Sequence, residues 1–342
     1  MKRCLFAIII LSFGFCLAGA DELLFTPSGS QDEALALPAD KELACELLWD
    51  VWKSHSPSTR GKTGLVLSGG GARGFAHLGV LRHLEEIGFP IEGIAGTSMG
   101  GVIGGLYAAG VGIDRIEVMA NDKILRDFWD VSTVRFLGVV FRDGMASSEG
   151  FERWLTKALG NKTFEDLPIP LVVTATDLAT GDLVLLREGP MVPALRASAT
   201  VPGFFAPAAL RNYFLVDGGL ILNVPTEAAD LIGLENVLVV DTSLHKRGEV
   251  LTRAPSALKA LYLSLEIQGD YLQSKKEKTG DFILRAYHPD IVIFEFNRWK
   301  EAWEVGLREA RNNSYALRLA FITKTMTKMG AKFFELEEYA KR

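Results

Sequence analysis

The hydrophobic positions of this chain follow two patterns, which take turns along the sequence. Short apolar blocks bounded by glycine or proline predict buried strands, and apolar residues three to four positions apart predict amphipathic helices. The first helix is predicted over Ala72–Ile87, and a second helix of small residues is predicted to end at Ala109. The predicted strands are Thr63–Ser68, Ile91–Gly96, Leu171–Thr176, Leu183–Leu186, Tyr213–Val216, Val237–Asp241 and Ile291–Phe294. This alternation predicts an α/β fold with a mainly parallel sheet covered by helices on both faces.

The N-terminal end has a different pattern. Lys2 and Arg3 precede an apolar run from 5 to about 17, and Ala18-Gly19-Ala20 then supplies the small residues of a cleavage site. The run is shorter than the roughly 20 residues of a membrane-spanning helix. We therefore expect a signal peptide over residues 1–20 and export to the periplasm or the medium. An uncleaved N-terminal anchor is the alternative.

Composition narrows the function classes. The 342 residues are 48% hydrophobic and 23% charged, which is typical of a globular protein with a sizeable core. The net charge of −5 does not fit a nucleic-acid-binding protein. The sequence contains neither the phosphate-binding pattern G-x-x-x-x-G-K nor an acidic calcium loop, so we predict no cofactor and no metal.

The sequence GTSMG, from Gly96 to Gly100, matches the pattern G-x-S-x-G between a predicted strand and a predicted helix. In a nucleophile elbow the serine lies in a strained turn, and its flanking glycines let the strand and the helix approach each other. This context predicts that Ser98 is a nucleophile. The alternative is a glycine-rich turn in which the serine only caps a helix.

A second glycine-rich turn, SGGGARG, begins at Ser68. Three consecutive glycines leave backbone N–H groups that can bind an oxyanion. Gly69, Gly71 and Gly74 also satisfy G-x-G-x-x-G, the dinucleotide-binding pattern. That pattern needs an acidic residue at the end of the next strand, whereas Glu92 lies at the beginning of that predicted strand.

A serine nucleophile needs a base, and Asp217 is the candidate because it follows a predicted strand and precedes two glycines. The alternatives are a simple Asp-Gly turn, or a triad that uses His245 or His288. Neither of these two histidines lies in a distinctive loop. The histidines of the chain are His55, His77, His83, His245 and His288.

Together these motifs resemble the patatin-like phospholipase family. SGGGARG, GTSMG and DGG occur in the family's order, ASATVPGFFAP over 197–207 resembles its A-S-x-x-x-P-x-x-F-x-P segment, and DGGLILNVP over 217–225 resembles its D-G-G-x-x-x-N-x-P. The resemblance covers about 62–241. It implies a three-layer α/β/α sandwich and a Ser98–Asp217 dyad without histidine. It also implies an oxyanion hole in a glycine loop that Arg73 braces. The residues assigned to this site are Gly69, Gly70, Gly71, Arg73 and Gly74.

The resemblance implies hydrolysis of fatty-acyl esters of lipids or phospholipids, by an enzyme of the phospholipase A or lysophospholipase type. Phe136–Phe141 and Phe204–Phe205 could contact lipid, and Trp299 and Trp303 could form an interfacial stripe that touches a membrane surface. The alternative for each of these groups is packing in the protein's own core. A soluble esterase or thioesterase and an inert lipid-binding protein are the other two hypotheses for the function.

The predicted organisation has four parts. A signal peptide (1–20) is followed by an N-terminal lead-in (21–61) and a patatin-like catalytic domain (62–245). A mainly helical C-terminal extension (246–342) completes the chain, and it contains no motif that matches the family.

Overall fold

The computed structural model describes residues 40–122, 148–243, 257–274 and 280–328, together with the backbone of three short strands nearer the N-terminus. The chain divides into two compact units. The larger unit is 63–311, and the smaller unit joins 1–62 with 312–342.

Eleven strands are described, and we number them in chain order. They are β1 (Phe15–Leu17), β2 (Leu23–Pro27), β3 (Leu35–Leu37), β4 (Thr63–Leu67), β5 (Ile94–Thr97), β6 (Leu171–Asp177), β7 (Leu183–Leu186), β8 (Ala208–Leu210), β9 (Tyr213–Asp217), β10 (Asn236–Asp241) and β11 (Phe282–Arg285). Strands β1 to β3 form a small antiparallel sheet in the smaller unit. The other eight form one sheet in the order β11-β10-β4-β5-β6-β9-β8, with β7 paired to β6.

The main sheet is parallel from β11 to β6 and antiparallel where β7, β8 and β9 join it. The carboxyl ends of β4 and β5 therefore lie side by side, which brings the two glycine-rich turns together. Strand β9 runs against β6 and pairs Asp217 with Ala175, so Asp217 reaches the same edge of the sheet.

The described α-helices are also numbered in chain order. They are α1 (Lys41–Ser54), α2 (Pro57–Arg60), α3 (Ala76–Glu86), α4 (Ser98–Ala108), α5 (Ile113–Ala120), α6 (Ser148–Leu159), α7 (Met191–Ser198), α8 (Thr226–Ala229), α9 (Ala257–Ser274), α10 (Trp299–Asn312) and α11 (Ser314–Lys328). Within the described ranges, no helix combines the length and the apolar content needed to cross a membrane.

Successive side chains of the central strands lie on opposite faces of the sheet, so these strands contribute apolar side chains to the core on both faces. Val66, Ala95, Val172 and Val239 pack on one face against residues of α8 and its flanking turns. On the other face α4 approaches closely, since Gly104 packs directly against Leu67 and Ile94. The larger unit is thus a mixed, mostly parallel sheet between helical layers, which confirms the predicted α/β/α fold class.

The smaller unit is held by aromatic packing between the two ends of the chain. Trp49 and Trp52 of α1 are stacked, with ring centroids 4.6 Å apart. The indole N–H of Trp52 donates to the Thr325 hydroxyl at 2.8 Å, and its ring lies 5.8 Å from that of Phe321. The N-terminal helix is therefore fixed against α11.

Two features of the predicted strands need correction. Residues 291–294 form no strand, because Ile293 uses its carbonyl to bind Ala72 N–H and Glu295 N–H bonds back to Val292. Strand β11, which the sequence did not predict, instead occupies the sheet edge at 282–285. The beginning of the predicted first helix is also different. A 3-10 turn spans Gly71–Phe75, and the α-helix α3 begins only at Ala76.

Candidate active site

Ser98 lies at the junction of β5 and α4 in a strained backbone conformation. Its φ is +52°, in the left-handed region that non-glycine residues rarely adopt. A Cβ at Gly96 would lie 2.6 Å from the Gly101 Cα, and one at Gly100 would lie 2.5 Å from the Leu67 carbonyl oxygen. The two flanking glycines are therefore required for this turn, as the elbow pattern predicts.

The Ser98 backbone is also held from outside its own turn. Its N–H donates to the Ser198 hydroxyl at 3.0 Å. The neighbouring Thr97 hydroxyl donates to the Leu222 carbonyl at 3.0 Å and shares a hydrogen bond with Thr174. These bonds fix the elbow to α7 and to the segment that follows Asp217.

Asp217 ends β9 in the same pocket as Ser98, and its side chain is buried. Its Oδ1 accepts the Gly219 N–H at 2.8 Å. Burial raises the pKa of Asp217 to about 6, against the opposing effect of hydrogen bonds from the Ser98 side chain and the Gly219 N–H. This carboxylate is therefore a stronger base than an exposed aspartate.

The segment ASATVPGFFAP supports both side chains at once. Ser198 binds the Ser98 N–H through its hydroxyl, while the Thr200 carbonyl accepts the Asp217 N–H at 2.8 Å. Two positions of one short segment thus set the spacing between Ser98 and Asp217. Although this segment was part of the resemblance, the sequence assigned Ser198 no role.

The three loop glycines are not equivalent. The Gly69 N–H donates to the Asn223 carbonyl at 3.0 Å. The N–H groups of Gly70 and Gly71, by contrast, have no acceptor among the described residues. Gly71 has a φ of +55°, which a residue with a side chain would adopt only with strain. Gly70 and Gly71 thus supply the N–H groups of this loop that have no acceptor within the part of the chain that the structure describes.

Several buried contacts hold this loop. The Asn223 side chain lies against Gly69 and donates to the Ser243 hydroxyl at 2.7 Å. The Thr242 hydroxyl donates to the Gly69 carbonyl at 3.2 Å. His77 contacts the Ser68 carbonyl through Nε2 at 2.8 Å, and burial lowers the pKa of His77 to about 4. The imidazole therefore stays neutral near pH 7 and donates this bond.

Arg73 and Gly74 stabilise the loop from its far side. The Arg73 N–H donates to the Gly70 carbonyl at 3.1 Å, and its guanidinium makes a 2.6 Å ion pair with Glu266 of α9. A Cβ at Gly74 would lie 2.5 Å from Met99 Cγ. Gly74 therefore lets the loop pack closely against the helix that carries Ser98.

The pocket that contains Ser98 and Asp217 is lined mainly by apolar side chains. Phe294, beyond the matched motifs, contributes to the wall, and its ring stacks on Phe204 at 4.3 Å. The other apolar side chains of the lining are Met99, Phe151, Ala199, Val201, Pro202, Leu220, Leu265, Ile293 and Phe296. Such a wall suits an apolar substrate chain and excludes water from the base.

Other predicted candidates lie elsewhere. His288 does not line this pocket, and its Nδ1 accepts the Asp290 N–H. Glu92 accepts the Thr63 N–H at the opposite edge of the sheet, where it cannot bind a ribose beside the glycine loop. His245 and Phe136–Phe141 lie outside the described residues.

The predicted tryptophan stripe is half-buried. The Trp299 ring packs edge-on against Phe75 at 6.2 Å, and Trp303 contributes its backbone to a close contact with Gly79. Both residues thus belong to the packing between α3 and α10, and the structure favours the core alternative for them. Phe204 and Phe205 are also buried.

Across the described ranges, no group of three or more His, Cys, Asp or Glu side chains is placed to hold a metal ion. The charged side chains that line the pocket are Arg73, Asp217 and Glu266. The chemistry that this arrangement supports is nucleophilic attack by a serine with carboxylate assistance.

Comparisons with known proteins agree with these motifs. A family model described as patatin-like phospholipase matches residues 65–230. An uncharacterized NTE family protein of Mycobacterium tuberculosis is 36% identical over 194 residues, which are 55% of this chain and 50% of that protein. Lysophospholipase NTE1 of Cryptococcus neoformans is 36% identical over 52% of this chain and 11% of its own length. The human patatin-like phospholipase domain-containing protein 6 is 32% identical over 56% of this chain and 14% of its own length.

The chain thus spans half or less of the length of these relatives. Among solved structures, VipD from Legionella pneumophila is similar, with 16% identity, a TM-score of 0.42, and coverage of 73% of this chain and 67% of that one. The region that matches the family model contains the glycine loop, the elbow and the DGG turn in order. Residues 65–230 of this chain therefore form a domain of the patatin-like phospholipase type.

Proposed function

We propose that this protein is a lipid acyl hydrolase in which Ser98 is the nucleophile and Asp217 is the base. The observation that carries the proposal is a strained serine beside a buried carboxylate in an apolar pocket. Strain at a serine is retained where the fold positions the hydroxyl for reaction.

In the proposed reaction, the Ser98 hydroxyl gives its proton to Asp217 as Oγ attacks the acyl carbonyl. Collapse of the tetrahedral intermediate releases the alcohol, which takes that proton, and leaves an acyl-enzyme. Water then attacks the acyl-enzyme while Asp217 again accepts a proton, and the fatty acid leaves as Ser98 regains its hydrogen. The raised pKa of Asp217 suits both proton transfers.

We further propose that the N–H groups of Gly70 and Gly71 form the oxyanion hole, assisted by the positive end of α4. Gly69 contributes differently, because its N–H is already bonded to Asn223. Its role is to let Asn223 pack against the loop. Arg73 and Gly74 act as positioning residues, through the ion pair with Glu266 and the contact with Met99.

The apolar wall favours a fatty-acyl chain as the group that occupies the pocket. Two of the relatives are named for lysophospholipase or phospholipase activity, which supports a phospholipid or lysophospholipid substrate. A soluble esterase or thioesterase would use the same residues on smaller substrates. We also propose that the protein is exported and that it acts at a lipid surface.

A direct test uses the full chain and its Ser98→Ala variant. We expect fatty-acid release from phosphatidylcholine or lysophosphatidylcholine, and covalent labelling by a fluorophosphonate, and expect both to disappear in the variant. Ser58→Ala, a change at an exposed serine, is the matched control and should keep both. Labelling that persists in Ser98→Ala would overturn the assignment. Hydrolysis confined to short soluble esters would favour the esterase alternative.

A further inference from the structure

One side of α9 contacts three of the segments that build the active site. Glu266, Gly269 and Gln273 are separated by three and four positions, so they lie on the same side of the helix. Glu266 and Gly269 also line the pocket. The helix lies beyond the residues that match the family model, which end at 230. We call Glu266, Gly269 and Gln273 the α9 stripe.

Gln273 restrains the segment that supports the glycine loop. Its buried side chain accepts the Val224 N–H through Oε1 at 3.2 Å. Val224 directly follows Asn223, whose carbonyl accepts the Gly69 N–H. Glu266, at the other end of the stripe, binds the same loop through its ion pair. Both ends of the α9 stripe therefore restrain the loop of the proposed oxyanion hole.

Gly269 brings the helix against the turn that carries the proposed base. A Cβ at Gly269 would lie 3.3 Å from the Gly219 carbonyl oxygen, which is closer than ordinary van der Waals contact. The N–H of Gly219 donates to Asp217 Oδ1 at 2.8 Å. Glycine within a helix is less favourable than alanine, so helix stability does not account for Gly269. The close approach of α9 to the Asp217 turn does account for it.

We infer that Gly269 and Gln273 are positioning residues for the proposed reaction, and that the α9 stripe holds the glycine loop and the Asp217 turn in the arrangement that Ser98 requires. The inference rests on the proposed function, because neither residue touches the reacting atoms. The two residues act on different parts of the site, Gly269 on the turn of the base and Gln273 on the oxyanion loop. Their substitutions should therefore have different kinetic effects.

The first test compares Gly269→Ala with the wild-type full chain on soluble p-nitrophenyl butyrate. The added methyl group should displace Gly219 and weaken its hydrogen bond to Asp217. Because that bond lowers the pKa of Asp217, we expect the acidic limb of kcat/KM to move to higher pH, by at least about half a unit. Gln268→Ala, at the exposed neighbouring position, is the matched control and should leave the limb in place.

The other charged side chains of the pocket, Arg73 and Glu266, are the same in both variants. A shift of the limb in Gly269→Ala alone would therefore come from the Gly219 bond and not from a change of charge. Circular dichroism and urea unfolding show whether each variant is folded.

The second test uses Gln273→Met, which keeps the length of the side chain but removes the acceptor of the Val224 N–H. We expect kcat to fall about tenfold while KM stays within about twofold, since the oxyanion loop is needed mainly in the transition state. The acidic limb should stay in place, because the bond from Gly219 to Asp217 is intact. Gln268→Met is the matched control for this substitution and should keep the wild-type kcat.

The outcomes separate this inference from the proposed function. If the wild-type chain were active and Ser98→Ala inactive, but Gly269→Ala and Gln273→Met behaved as wild type, the positioning roles alone would be wrong. A loss of kcat that only follows a loss of folded protein, with the limb unmoved in Gly269→Ala, would also overturn them. A wild-type chain that hydrolyses no ester, or no more than Ser98→Ala does, would overturn the proposed function and this inference together.

Discussion

Asp217 shows how a single buried residue places catalysis and stability in opposition. Burial favours the neutral acid, and this raises the pKa of Asp217 to about 6 from a usual value of 3.8. The unfolded chain therefore ionises first as the pH rises from about 4 to 6, and the free energy of unfolding falls over that range. Above about pH 6 the folded protein carries the full penalty of a buried charge.

Asp217→Asn removes this ionisation without changing the size of the side chain. We expect kcat to fall by several orders of magnitude, since an amide cannot accept the serine proton. We also expect the free energy of unfolding to rise at pH 8 by up to about 3 kcal/mol, from the two-unit shift, but to change little at pH 4. Urea unfolding at both pH values measures this, with exposed Asp182→Asn as the control. If Asp217→Asn changed the free energy of unfolding equally at pH 4 and pH 8, the conclusion that the folded protein buries a charged Asp217 would be wrong.

The pH profile gives a second prediction at the residue scale. Activity should rise as pH increases through about 6, because the base must be ionised before it can accept a proton. A histidine could produce a similar limb, so the profile needs mutants. His245→Ala and His288→Ala should each retain kcat within about tenfold, a barrier change of about 1.4 kcal/mol. If either variant were folded and as inactive as Ser98→Ala, a triad would replace the dyad.

The sequence identified residues whose local turn determines their chemistry, and it missed those that act across the fold. Ser98 and Asp217 lie in distinctive glycine turns that can be recognised from the sequence. Ser198 and Asn223 act on Ser98 and Gly69 through contacts more than 90 residues away in the chain. Nothing local to either residue reveals its partner. The hydrogen bond from the Gly69 N–H cannot be read from the sequence for the same reason, since its acceptor Asn223 lies in a distant segment.

At the scale of elements, the ion pair between Arg73 and Glu266 joins the glycine loop to α9. Arg73 is buried, and a buried guanidinium that loses its partner is strongly unfavourable. We expect Glu266→Gln to shift the loop and lower kcat about tenfold, with a smaller change in KM. Glu266→Asp should recover part of kcat. Steady-state kinetics on a soluble ester measures both, and Glu304→Gln on the exposed side of α10 is the control.

Helices α3 and α10 pack backbone to backbone. A Cβ at Gly306 would overlap the Ala76 carbonyl, and one at Gly79 would overlap the Trp303 carbonyl. Gly306→Ala should therefore lower the free energy of unfolding by about 1–3 kcal/mol, as an overpacked contact does. Gly112→Ala has open space around its new methyl group and should change stability little. Urea unfolding of both variants checks this, and equal stabilities would exclude the close contact.

The strands with continuous apolar runs were predicted well, because their hydrophobic pattern is local. The segment 291–294 forms no strand, although all four of its residues are apolar or aromatic. Ile293 and Phe294 line the pocket, and the Ile293 carbonyl accepts the Ala72 N–H instead of pairing in a sheet. Strand β11 was missed because it is a short run after a charged stretch. Its place is fixed partly by Asp281, whose carboxylate accepts the Val237 N–H at 2.7 Å.

At the scale of the whole molecule, the larger unit is one continuous segment, whereas the smaller unit is assembled from two distant parts of the chain. The Trp52–Thr325 hydrogen bond joins residues 273 positions apart. An apolar helix pattern predicts that α1 has a buried face, but it does not say which helix covers that face. The division into compact units at 62 and 311 depends on such contacts between distant helices and not on a local pattern.

Export is also a property of the whole molecule, and it can be tested independently of catalysis. The positive start at Lys2 and Arg3, the apolar run after it and the small residues up to Ala20 should direct secretion and cleavage. We expect the exported protein to begin at or near Asp21 when its N-terminus is sequenced. Replacing Leu11 with Asp interrupts the apolar run and should retain the full-length chain in the cytosol. Lys41→Glu, outside that run, should leave export unchanged. An exported chain that keeps residues 1–20 would support the uncleaved anchor instead, and a wild-type chain that stays in the cytosol uncut would refute export altogether.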